Sequence, residues 1–228
     1  MPLSARQLAF DLSHRESFHR QDFLESASNA DALALIERWP DWPAPVLALV
    51  GPQGSGKSHL AAIWAERAGA RFLSARALGE SNLPAALATG ALVLEDAASR
   101  NFDQRALFHL LNLAREEEAF VLLTASSAPT AWPIGLLDLA SRLRAIATVT
   151  LAAPDDALLR AVLAKLFSDR QLQVDDALLG FLVTRIERSL GAAKDVVSRL
   201  DAAALRQSRP VTRALAAEVL RSAGSPDV

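Results

Sequence analysis

The stretch Val46-Leu-Ala-Leu-Val-Gly-Pro-Gln-Gly-Ser-Gly-Lys-Ser58 is an apolar run that breaks into glycines and ends on Lys-Ser. It fits the pattern G-x-x-x-x-G-K-[ST] at Gly51, Gly56, Lys57 and Ser58, with a strand-like run before it and a helical pattern after it. Glycines let backbone N–H groups approach a polyphosphate closely, because no Cβ stands in the way. Lys57 would reach the β- and γ-phosphates, Ser58 would join the shell of a Mg²⁺ ion, and the following helix would point its positive end at the anion. The whole loop, Gly51, Pro52, Gln53, Gly54, Ser55, Gly56, Lys57, Ser58 and the adjoining His59, is therefore a candidate nucleotide site.

Outward from that loop, the chain alternates short apolar runs with amphipathic segments. Runs at Val46–Val50, Arg71–Ser74, Ala91–Leu94, Phe120–Leu123 and Thr148–Leu151 read as five strands. Between them, Ser58–Ala68, Leu83–Ala88, Ile134–Leu143 and a segment capped by Asp103 read as helices. Asn29 reads as the cap of an earlier helix running to Trp39, stopped by Pro40, Pro43 and Pro45. Strands alternating with helices predict a five-stranded parallel sheet covered on both faces.

The pattern changes at Ala152-Ala-Pro-Asp-Asp156. Only helices follow, at 155–168, about 175–187, about 190–207 and 212–222, with caps or breakers at Asp175, Gly191, Pro210 and Thr212. The expected organisation is an arm at 1–20, an α/β core at 21–152 and a helical lid at 153–228.

The chain has 228 residues, 51% hydrophobic and 22% charged, with a net charge of −2, a pI near 6.1 and a mean hydropathy of +0.17. That composition can bury a core, and its balance argues against a protein whose main task is gripping nucleic-acid backbones. Cysteine is absent, which excludes disulfide frameworks, zinc knuckles and cysteine nucleophiles. The four histidines show no metal-ligand spacing. No apolar run approaches the roughly 20 residues that span a bilayer, and the N-terminus lacks the apolar region of a signal peptide. The expected compartment is the cytoplasm.

Further features carry chemistry. Leu92-Val-Leu-Glu-Asp96 puts Glu95 and Asp96 at a strand end, where carboxylates can hold Mg²⁺ and orient water; the other reading is an ordinary solvated strand end. Thr124 to Ser127 offers hydroxyls beside the expected γ-phosphate. Arg142 and Arg144 end a short helix before the last strand, either as donors to phosphate oxygens or as surface arginines favoured by the helix dipole. Trp39, Trp42, Trp64 and Trp132 read as packing anchors, and Glu116–Glu118 as a solvated helix end.

Gly51-Pro-Gln-Gly-Ser-Gly-Lys-Ser-His-Leu60, Leu92–Asp96, Leu122-Leu-Thr-Ala-Ser126 and Leu139-Ala-Ser-Arg-Leu143, followed by a helical tail, resemble the AAA+ module of the bacterial initiator DnaA. The chain is too short for DnaA itself, and nothing after the helical lid resembles its DNA-binding domain. The overall pattern is similar to the Hda family of DnaA-related regulators. Gln7-Leu-Ala-Phe-Asp-Leu12 matches the hexapeptide by which that family binds the sliding clamp, with Gln7, Leu8, Phe10 and Leu12 at the specifying positions. From alternation alone, the same stretch fits an amphipathic edge strand equally well.

The resemblance implies an AAA+ P-loop core with a C-terminal helical lid, binding ADP, ATP or another nucleotide with Mg²⁺. It implies an arginine finger at Arg142, a sensor position at Ser126, metal ligands at Ser58 and Glu95, and Asp96 as the second Walker B carboxylate. Phe23, in Asp22-Phe-Leu24, falls near the base by position in similar proteins. Three positions depart from the family. Glu95 stands where Asp is usual, Ser126 where an acidic sensor is usual, and Gly191 where a lid arginine normally touches the nucleotide; Lys194, one turn later, could compensate. These departures suggest a protein that binds nucleotide more reliably than it hydrolyses it.

The implied partners are the sliding clamp and DnaA, with a homodimer left open and neither specific DNA binding nor a membrane expected. Two other readings stay open: a stand-alone P-loop ATPase or small-molecule kinase, and a DNA-engaging AAA+ loader or adaptor. Turnover by the isolated protein would favour the first, and salt-dependent DNA binding the second.

Overall fold

The computed structural model describes residues 18–99 and 102–223. Gln7, Leu8, Phe10 and Leu12 lie outside the described residues. Five strands, β1 (Val46–Val50), β2 (Arg71–Ser74), β3 (Ala91–Glu95), β4 (Phe120–Ala125) and β5 (Ala147–Thr150), form one sheet in the order β2-β3-β4-β1-β5. All neighbours are parallel.

The central strands are apolar on both faces because both faces are covered. Leu47 and Leu49 of β1 meet one hydrophobic cluster, while Ala48 and Val50, one step along the pleat, meet another. On the first face lie α1 (Ala30–Glu37) and α2 (Lys57–Ala68), contributing Leu33, Ile36, Leu60 and Trp64. On the second lie α3 (Leu83–Leu87), α4 (Gln104–Glu116) and α5 (Leu137–Arg144), contributing Leu83, Leu107, Leu110, Leu139 and Leu143. The tryptophans anchor these layers: Trp42 stacks on Trp64 at 5.0 Å and donates its indole N–H to the Leu35 carbonyl.

After β5 come α6 (Asp156–Asp169), α7 (Asp176–Val183), α8 (Leu190–Gln207) and α9 (Arg213–Ala223), which pack around a third cluster that includes Phe167, Leu182, Val197, Leu200 and Leu215. Asp103, Asp155 and Asp175 cap α4, α6 and α7 through bonds from backbone N–H groups to their carboxylates. Among the described residues, no helix is long and apolar enough to cross a membrane.

Four local expectations are corrected. Asn29 precedes α1 but caps nothing: its amide accepts from Ser26 N and donates to Leu24 O, both at 2.9 Å, so it staples the preceding loop instead. The helix expected over 175–187 stops at Val183, and the chain turns so that Ser189 can cap α8 through Ala192 N. Gly191 is not a breaker, because it lies inside the first turn of that capped helix. Phe18, His19 and Arg20, grouped with the arm by sequence, pack on the body, as the site makes clear.

Candidate functional site

The glycine loop leaves the C-terminal end of β1, where Gly51 N donates to Ala125 O of β4 at 3.1 Å. Gly51 has no room for a side chain: a Cβ there would lie 2.6 Å from the Leu151 carbonyl oxygen. Gly54 and Gly56 adopt φ of +72° and +102°, which only glycine takes without strain. Gly56 then starts α2 with no side-chain cap, so the first N–H groups of a twelve-residue helix face outward from the loop.

Lys57 folds back over this loop, and its ammonium donates to the carbonyls of Gly51 and Pro52, both at 2.8 Å. Burial lowers its pKa, and the charge of Asp96 opposes that shift. At the end of β3, burial raises the pKa of Glu95, and Asp96 pushes it the same way. Asp96 sits in the left-handed region at φ 54°, its backbone N–H reaching Thr124 Oγ at 3.4 Å, while Ala97 N donates to Thr124 O at 2.9 Å. Thr124 is buried, so its hydroxyl orients the acidic turn; Ser126, one step past β4, is exposed.

The lid touches the loop directly. Leu190 N donates to Gly54 O at 2.8 Å, and a Cβ on Gly54 would meet Ser189 Cβ at 2.6 Å. Leu151, the first residue after β5, lies under the loop, its side chain 3.9 Å from where a Gly56 Cβ would be. These contacts at Ser189, Leu190 and Leu151 have no motif in the sequence; only the fold brings them to the glycines.

Beside the loop, His59 is edge-on to both Phe18 at 5.4 Å and Phe23 at 5.2 Å. Lys194 of α8 stands over the Phe18 ring at 5.6 Å, and Phe23 is buried against the position of Gly56. His59 and Lys194 thus both meet Phe18, a residue with no motif in the sequence, and Phe23 joins them through His59. Arg142 is elsewhere. It is half-buried on α5, its guanidinium 5.0 Å over the Phe108 ring of α4, on the sheet face opposite α2.

A polyphosphate fits this arrangement: a glycine cradle that side chains would fill, an uncapped helix N-terminus, and a lysine held over the loop. The oxygen donors Ser58, Glu95 and Asp96 suit a hard cation such as Mg²⁺. Among the described residues no group of three or more His, Asp or Glu could hold a metal unaided, so phosphate and water oxygens would complete its shell.

No family model matches the chain, and no curated protein matches it by sequence. Solved structures do. Domain III of the Thermotoga maritima replication initiation protein DnaA superposes with a TM-score of 0.75 at 15% identity, covering 92% of this chain and 98% of that one. The T. maritima RuvB Holliday junction branch migration motor gives 0.71 at 17%, covering 90% and 72%. The replication initiator DnaA bound to AMPPCP and single-stranded DNA gives 0.62 at 16%, covering 82% and 67%. At such identities the likeness speaks to architecture, and it shows that this chain shares the fold of DnaA domain III and RuvB, a five-stranded parallel sheet between helices with a helical C-terminal region.

Proposed function

We propose that the chain is a nucleotide-binding AAA+ regulator of replication initiation that acts on a second AAA+ protein. Gly51–Ser58 holds ADP or ATP with Mg²⁺ under the lid. The Gln7–Leu12 arm docks on the DNA-loaded sliding clamp, and Arg142 enters the active site of ATP-bound DnaA. There the guanidinium stabilises charge on the γ-phosphoryl group as it leaves for water, so hydrolysis is the partner's and the chain supplies a donor.

One observation carries this reading. The guanidinium of Arg142 rests on Phe108, across the sheet from the helix that starts at Lys57. An arginine so held, half-buried and on the sheet face away from the helix that follows its own glycine loop, can be offered to the phosphates of another molecule. Glu95 in place of the shorter aspartate agrees with a site that retains nucleotide more than it turns it over.

The test is turnover of DnaA-bound ATP on clamp-loaded DNA, with and without this protein. The native chain is expected to accelerate hydrolysis. Fingers of this kind are worth about 10³–10⁵ in rate, so Arg142→Ala should lose most of that acceleration while folding and binding nucleotide normally. Equal stimulation by the variant would remove Arg142 from the mechanism.

A further inference from the structure

The chain between Phe18 and Phe23 is held from two sides. On the core side, His59 Nε2 meets the His19 carbonyl at 3.1 Å, His19 pairs with Glu66 at 3.4 Å, and Arg20 bonds Glu37. On the lid side, Asp22 pairs with Lys165 of α6 at 3.0 Å, and Lys194 of α8 covers Phe18. The Asp22–Lys165 pair is sheltered, with side chains 22% and 34% exposed. Lys165 also pairs with Asp169 one turn along α6, at 2.9 Å, and that bond, followed by the one to Asp22, raises its pKa. The lysine is thereby aimed at the segment by its own helix.

Among the described residues, the core and the lid have separate hydrophobic clusters. Near the loop, the Gly54–Leu190 hydrogen bond and this segment join them. We infer that Phe18–Phe23 is a latch between the glycine loop and the lid, in which Asp22 is a positioning residue that acts through Lys165 to set how long a nucleotide is held. The inference rests on the nucleotide reading of Gly51–Ser58. Asp22 touches neither phosphate nor metal in this scheme. It closes the lid by charge, and a nucleotide leaves when the pair and the Gly54–Leu190 bond have both opened.

Release of a fluorescent ADP from the full chain, followed by stopped flow, tests this. Asp22→Asn and Lys165→Met should each release it about three- to fivefold faster, the range expected of a single partly exposed ion pair. The exchanged pair, Asp22→Lys with Lys165→Asp, made together with Asp169→Lys so that position 165 keeps an opposite charge one turn along α6, should recover slow release, a rescue that mere loosening of the fold would not produce. Melting temperatures without nucleotide should differ little among the variants. Unchanged release in both single variants, or an exchanged pair as fast as either, overturns the latch. If the native chain binds no ADP at all, the nucleotide reading fails and the latch with it; binding with unaltered release condemns the latch alone.

Discussion

At the scale of the residue, the loop holds charges at a cost that a ligand would relieve. Glu95 has its pKa raised from the ordinary 4.5, so its ionised form is disfavoured in the folded protein. A raised carboxyl contributes stability that is complete below the ordinary value and lost as pH rises through the raised one. Glu95→Gln should therefore melt higher than the native protein at about pH 8 and no higher below about pH 4.5, a modest effect because the group is partly exposed. Saturating Mg²⁺ and ADP should erase the gain, since a cation favours the carboxylate. Melting curves across that pH range check it, and a gain that is the same at both ends would contradict the assignment. Lys57 has the opposite sign: its lowered pKa means stability present above the ordinary 10.5 and lost as pH falls through the lowered value. The passage from strand through glycines into helix at Gly51–Ser58 is legible in the sequence because it is local, eight consecutive residues. Thr124, one of the hydroxyls expected beside the γ-phosphate, is buried and accepts from Asp96 N at 3.4 Å, a contact that the fold and not the local sequence brings about.

At the scale of the element, α8 is the piece that meets the loop. Its cap, Ser189, is also the residue whose Cβ fills the space above Gly54. Gly54→Ala carries two penalties: a left-handed φ, about 1–2 kcal/mol for a residue with a Cβ, and a 2.6 Å approach to Ser189. It should lower the melting temperature and weaken ADP binding. Adding Ser189→Gly should recover the part due to the clash and leave the part due to φ. Titration and melts of the two variants separate these, and no recovery at all would mean that α8 does not bear on the loop in solution. Asp155, expected as the first residue of its helix, is the cap of α6, whereas Asp103 and Asp175 are readable as the caps of α4 and α7 because a cap acts over three residues. Asn29 misled for the same reason. Its pattern suits a cap, but both ends of its amide found nearer backbone partners in the loop behind it.

At the scale of the whole molecule, a five-stranded parallel sheet with two covered faces follows from alternating strand and helix patterns, and the change at Ala152–Asp156 marks where helices take over; the strand order, with β1 between β4 and β5, does not follow from them. The relation of lid to core was not readable. Asp22 and Lys165 are more than half the chain apart, and an ion pair leaves no periodicity behind it. Because the lid has its own hydrophobic cluster, calorimetry of the nucleotide-free protein should show two overlapping transitions. Saturating ADP, binding across both parts, should merge them at a higher temperature. A single transition under both conditions would show that the few polar contacts couple the parts fully.

Leu151 lies where the core ends and the helical lid begins. Its carbonyl crowds Gly51, its side chain reaches toward Gly56, and its own N–H is fixed to Val50 O at 2.7 Å; the next residues lead straight into α6. The floor of the glycine cradle and the root of the helical lid are thus the same residue. The longest helix of the lid, α8, runs 18 residues, about 27 Å at the helical rise. Were the lid to turn about Leu151, the far end of that helix would travel much farther than the residues beside the glycines.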